Sequence, residues 1–136
     1  MNTISVHSTR HHSLDEFLSL NGFEVEEVDT QVYRVIRDDE LPVFLSITDS
    51  SLYFSVDLGN ISDVASAELY QALLDLNTEI QPVSFGIDST NAEDPRLVLV
   101  ESRISGDLSD EELLSVFSAL ELATDQAEAL LSSYLK

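Results

Sequence analysis

Leu52-Tyr53-Phe54-Ser55-Val56-Asp57-Leu58 is the stretch on which the fold turns. Leu52, Phe54, Val56 and Leu58 point one way, and Tyr53, Ser55 and Asp57 the other. A period of two marks a strand with one buried and one wetter face, the pattern of an antiparallel sheet covered on one side. Upstream, Val43 to Thr48 forms its neighbour across Asp49-Ser50-Ser51. Gln31 to Arg37 alternates too, with Val32 and Ile36 on one face and Tyr33 and Val35 on the other. Phe23 to Val28 precedes it across the compact Asp29-Thr30, so a hairpin is expected. Asp38-Asp39-Glu40-Leu41-Pro42 is a turn.

Helices flank these strands. Ser13-Leu14-Asp15-Glu16 fits a capping box, with Ser13 as N-cap and Glu16 at N3. A short helix follows through Leu20 and ends at Gly22. Downstream of the strands, Gly59-Asn60 breaks the alternation, and a helix is predicted from about Asp63 to Glu79, stopping before Pro82. Leu69, Leu73, Leu76 and Ile80 form one apolar stripe, and Tyr70 and Leu74 widen it beyond a one-sided face. Val83 to Asp88 and Leu97 to Ile104 read as two more strands, joined by the loop 89–95. Ser109-Asp110-Glu111-Glu112 is a second capping box. It opens a helix towards Leu135, with an interruption expected near Thr124-Asp125. The order is α-β-β-β-β-α-β-β-α, an antiparallel sheet with helices, hence α+β. Residues 1–12, which hold His7, His11 and His12, read as a flexible arm ahead of a single domain spanning 13–136.

Bulk composition narrows the function. The 136 residues suit one domain, and 43% apolar content suits a packed core. No cysteine is present, which removes disulfides, zinc-thiolate sites and thiol nucleophiles and fits a reducing compartment. The N-terminus lacks a basic segment followed by an apolar run, and no stretch approaches the about 20 apolar residues of a membrane helix, so a cytoplasmic location is expected. Six cationic residues against 26 acidic ones give a formal charge of −20, split evenly between the halves of the chain. Such a surface repels phosphate backbones and anionic membranes, so neither nucleic acid nor membrane is an expected partner.

Catalytic motifs fail one by one. His7 and His11 have the i,i+4 spacing of some metal sites but precede the helix cap and lack an HExxH context. The loop 88–94 is rich in oxygen ligands, yet a calcium loop counted from Asp88 would need Gly where Glu93 stands and Glu where Leu99 stands. No serine sits in G-x-S-x-G, no glycine cluster makes a phosphate loop, and the single lysine is Lys136. With 26 carboxylates, close pairs arise by chance, and the absence of tryptophan leaves little to line a sugar cleft. No cofactor and no enzyme activity are expected. A small hydrolase or metal-dependent enzyme using surface carboxylates is the alternative, and a structural subunit of a larger assembly a further one.

The order of elements resembles that of class I type III secretion chaperones and of the YbjN-like bacterial proteins. Leu73-Leu74-Asp75-Leu76-Asn77 resembles the helix-ending "L-L-x-x-N" of those families. Arg96 to Arg103, followed by Gly106-Asp107-Leu108-Ser109-Asp110-Glu111-Glu112-Leu113, resembles their last strand and the cap of their last helix. Length, acidity and layout are also similar to the bacterial YjfI-like family. The departure from the chaperones is one extra strand before the middle helix. The resemblance implies a protein-binding module: a small acidic homodimer holding an extended client segment. Tyr70 and Leu74 are the expected partner or dimer contact.

Overall fold

The computed structural model describes residues 13–134. The expected arm at 1–12 and its three histidines lie outside the described residues. The elements are α1 (Leu14–Leu20), β1 (Glu24–Asp29), β2 (Val32–Ile36), β3 (Val43–Ile47), β4 (Ser51–Asn60), α2 (Ala67–Asn77), β5 (Ser84–Asp88), β6 (Arg96–Ile104) and α3 (Asp110–Ser132). A short 3-10 turn, Ser105–Asp107, links β6 to α3. The predicted α+β order is therefore the observed one.

The six strands form one antiparallel sheet in the order β1-β2-β3-β4-β6-β5. β1 to β4 meander, β6 joins β4, and β5 becomes an edge. At Gly59 the β4–β6 register slips against Asp57, and the Gly59 N–H donates to Asp57 Oδ1 at 2.9 Å. Gly59 has φ +110°, which only glycine adopts readily, so the bulge is built on that residue.

Register decides which side chains share a face. Leu45 lies opposite Phe54, Val56 opposite Leu99, and Val35 opposite Val43. All of these are buried, together with Leu14, Phe17 and Leu18 of α1 and Leu113, Val116, Phe117 and Leu120 of α3. Phe117 is the junction: its ring centroid lies 4.7 Å from Phe23 and 5.6 Å from Phe54, the latter edge-on. A second cluster joins Leu69 and Leu73 of α2 to Ile61 and Leu97, with Leu130 and Tyr134 beside them. Leu97 and Leu99 are two apart on β6, so all three helices cover the same face of the sheet.

The expected bounds of α2 and the expected break in α3 need correction. α2 begins at Ala67, not near Asp63. Asn60 Oδ1 accepts the Ser62 N–H at 2.7 Å, the Val64 N–H donates to the Ile61 carbonyl, and Ile61 is buried, so residues 60–65 form a turn anchored in the core. Ser66 is the true N-cap, its Oγ accepting from the Leu69 N–H at 3.0 Å. α2 also ends earlier, at Asn77, whose Oδ1 accepts the Phe85 N–H at 2.6 Å. α3 in turn runs unbroken through Thr124 and Asp125. The buried Thr124 Oγ1 donates to the Leu120 carbonyl at 2.8 Å, so the hydroxyl is satisfied within the helix instead of breaking it.

The capping boxes differ in chemistry. Ser109 Oγ accepts from the Glu112 N–H at 3.1 Å, as predicted. Ser13 is N-cap of α1 by position but makes no side-chain cap bond; its hydroxyl donates to Asp15 Oδ1 at 2.7 Å.

Negative charge is concentrated where Glu40 meets α3. Partial burial, then repulsion from Glu121, Asp125 and Glu128, hold the Glu40 carboxyl above its ordinary range, against the pull of Arg37. Arg37 itself bonds Glu121 at 2.8 Å and lies 4.5 Å from the centre of the Phe23 ring.

Two outcomes follow from this packing. Phe117→Ala should lower stability by about 3–5 kcal/mol in urea unfolding, whereas Leu74→Ala should stay within about 0.5 kcal/mol. A carboxyl whose folded pKa is raised loses stability as pH climbs through the interval between its unfolded and folded values. Glu40→Gln should therefore raise the Tm at neutral pH, with the gain vanishing below about pH 4, under the ordinary glutamate pKa.

Candidate functional site

The oxygen-rich loop after β5 is occupied by its own turns. Asp88 Oδ1 accepts both the N–H and the hydroxyl of Thr90, at 3.0 and 2.6 Å, and Asn91 Oδ1 accepts the Glu93 N–H. The bonds from Thr90 hold the Asp88 carboxyl below its usual range. Asp94 is likewise lowered by hydrogen bonds from Asn60 and Arg96. Among the described residues no group of three or more His, Asp or Glu side chains is placed to hold a metal ion. No helix among them is long and apolar enough to cross a membrane.

One carboxylate that the sequence pattern does not single out is Glu101. It stands on the helix-covered face of β6, where alternation calls for an apolar residue, and its side chain is 2% exposed. Oε2 accepts from Arg103 Nε at 2.6 Å, while Oε1 has no partner among the described residues. Arg103 also lies 3.9 Å from Glu112 at the start of α3. The trio links β6 to the start of α3 by charge, beside Leu52, which lies buried opposite Arg103.

Beside isolated exposed side chains such as Leu20, Leu41 and Leu122, two patches of exposed apolar surface have opposite electrostatic settings. On α2, Tyr70 and Leu74 are four apart and share an outward face. Leu74 is 66% exposed and Tyr70 38%. Leu69 and Leu73, one residue before each, are buried, so the helix is fixed with this ridge turned to solvent. Glu68, Asp75 and Glu79 of the same segment are exposed, which gives the ridge an acidic border.

The other surface is the uncovered face of the sheet, which strand alternation alone marks only as the wetter one. Cross-strand pairs place Phe44, Ser55 and Val100 in one row, and Ser46, Tyr53 and Ser102 in the next. Tyr53 is 49% exposed and Val100 39%. A groove of about 730 Å³ runs over this surface, lined also by Val32, Pro82, Ser84, Glu101 and Arg103. On this face the described carboxylates stand at the margins: Glu24 and Glu26 on β1, and Asp57 and Asp88 at the far end. Arg34 lies opposite Glu26 in register, and Arg96 grips Asp57 with Nε and Nη2 at 3.2 and 3.1 Å. The signal for this surface lies in the residues between the core positions, Phe44, Tyr53 and Val100, but only strand order shows that they adjoin.

The fold has known counterparts. A chain of the heterodimeric ExoU–SpcU complex from the type III secretion system of Pseudomonas aeruginosa superposes with a TM-score of 0.69 at 19% identity, covering 86% of this chain and 96% of that one. YbjN from E. coli superposes with a TM-score of 0.67 at 18% identity, covering 85% and 89%. At such identities the likeness is one of fold. A search of curated proteins finds no match, and the resemblance to the YjfI-like family is not confirmed. The Tir chaperone protein (CesT) family matches residues 12–131, from just before α1 to the last turn of α3. With almost every element inside that match, the chain belongs to the Tir chaperone protein (CesT) family.

Proposed function

We propose that this protein is a non-enzymatic, cytoplasmic chaperone-like module that holds a segment of another protein on the α2 ridge. The observation that carries the reading is the acid-bordered pair Tyr70 and Leu74, left exposed by a helix whose other side is packed through Leu69 and Leu73. Family membership supports a binding role, and the single domain from 13 to 136 offers an apolar contact without a metal-binding cluster among its described residues.

The physics divides the work. Apolar contact supplies affinity at about 25 cal/mol per Å² removed from water. The negative border selects a segment whose apolar centre is flanked by Lys or Arg and speeds its arrival. Nucleic acid and anionic membranes are disfavoured by the same charge.

The test uses two fluorescent peptides with one shared apolar centre, flanked by Lys and Arg in one and by Asp and Glu in the other. The basic-flanked peptide should bind more tightly, with an association rate that falls as salt is added while dissociation changes little. Leu74→Asp should weaken it about 10- to 100-fold, the equivalent of one leucine burial of about 1.5–3 kcal/mol, with the Tm preserved. Equal binding of both peptides, or an unchanged affinity for the variant, would overturn the reading. If Leu74→Asp unfolds the protein, Tyr70→Asp in the same assay decides.

A further inference from the structure

We infer that the outer edge of β1 is the docking site of the chain's own first residues, with 3–7 adding to it as a further strand. Among the described residues β1 pairs on one side alone, with β2. Its other side presents the backbone N–H and carbonyl groups of a sheet edge, which an extended segment satisfies. On the opposite edge, the Phe85 N–H of β5 is already held by Asn77 at 2.6 Å.

Charge selects the occupant. Four β1 residues, Glu24, Glu26, Glu27 and Asp29, are acidic and exposed. Only Glu26 has a cation, Arg34, opposite it in register; the others stand opposite Ile36, Tyr33 and Val32. Burial, then repulsion from Glu27 and Asp15, hold the Tyr33 hydroxyl above its ordinary range, so negative charge is in excess at this corner. Another acidic strand is repelled there. Residues 1–14 are the longest stretch of the sequence without Asp or Glu, and they carry Arg10 and all three histidines.

Pattern and reach agree with charge. Thr3-Ile4-Ser5-Val6-His7 alternates polar and apolar residues, the period of a strand. Laid beside β1 with Ile4 and Val6 on the side of Val25, it extends the apolar row that Val25 begins. Thr3, Ser5 and His7 then come to the open face, beside Glu24 and Glu26. The point of attachment is close, since Leu14 and Asp15 line a small cavity together with Val25 and Tyr33. The connection 8–12 spans up to about 17 Å, against about 20 Å for the whole of β1. Occupied in this way, β1 no longer offers its carboxylates and backbone to a cation-rich client, which is left to the α2 ridge. The inference does not rest on that ridge, because the N-terminal segment can hold β1 whether or not α2 binds a client.

Hydrogen exchange of the full chain, followed residue by residue by NMR, tests it. The β1 amides that point away from β2 should exchange at least tenfold more slowly than those of an unstructured chain, at a rate independent of protein concentration. Val6→Pro removes a strand donor and should speed these amides at least tenfold. Arg10→Glu should speed them as well, and in both variants the amides of β3, β4 and β6 should keep their rates. Rapid exchange of the outward β1 amides in the unmutated protein overturns the inference, as does protection that neither substitution reduces. Protection that grows with concentration also overturns it, since the added strand would then come from another copy.

Discussion

The edge-on contact between Phe117 and Phe54, with Phe23 tilted against the same ring, ties the longest helix to the centre of the sheet and to its β1 end at once. Three aromatic side chains from three distant parts of the sequence must converge before α3 has a place to lie. Once it lies there, Leu113, Val116 and Leu120 follow on the same helical face, and α1 closes the β1–β3 end through Phe17 and Leu18. The contact also fixes which side of every strand is buried. Phe54 faces the helices, so Tyr53 and Ser55 must face away, and the same choice spreads through register to every other strand.

That one-sidedness produces the functional surfaces. Three helices on one face leave the opposite face without a cover, and no further element among the described residues supplies one. A sheet face left open in a strongly charged protein would ordinarily be studded with carboxylates. Here serines and apolar side chains take the central positions, while the carboxylates of that face stand on the edge strand β1 and at the Asp57–Asp88 end. α2 shows the reverse arrangement, apolar side chains set among acids. The molecule thus separates a neutral surface from an acid-bordered one, and the electrostatic cost of bringing up a partner differs between them by the sign of that partner's charge.

Much of the fold is legible because each strand carries its own alternation and each break carries its own turn chemistry. Leu52 to Leu58 can be read in isolation, since burial on one side is written residue by residue. The start of α2 cannot. Asp63 and Val64 are compatible with a helix, and what removes them is Ile61 docking in the core while Asn60 folds its side chain over Ser62, a tertiary and a local bond acting together. Thr124 misleads for a related cause: a threonine followed by Asp looks like a break unless the hydroxyl is known to bond the carbonyl four residues back. Of the two exposed surfaces, the α2 ridge is visible as excess width of an apolar stripe. The sheet face is not, because its residues are scattered over five strands and the β4-β6-β5 order that unites them runs against the sequence.

Glu101 shows why such a fold tolerates a charge in an apolar row. Val56 pairs with Leu99, and the next core pair along the strand is Phe54 with Glu101. A lone buried carboxylate there would cost several kcal/mol, but Arg103, two residues on and on the same face, brings its guanidinium within 2.6 Å and keeps its own outer side within reach of Glu112. The pair lies near the start of α3 and inside the apolar core, since Leu52, opposite Arg103, is itself fully buried. The Glu101 charge is met within β6 by Arg103, and the same guanidinium, 3.9 Å from Glu112, adds a weaker tie to the first turn of α3, whose place on the sheet is set by Phe117 against Phe54.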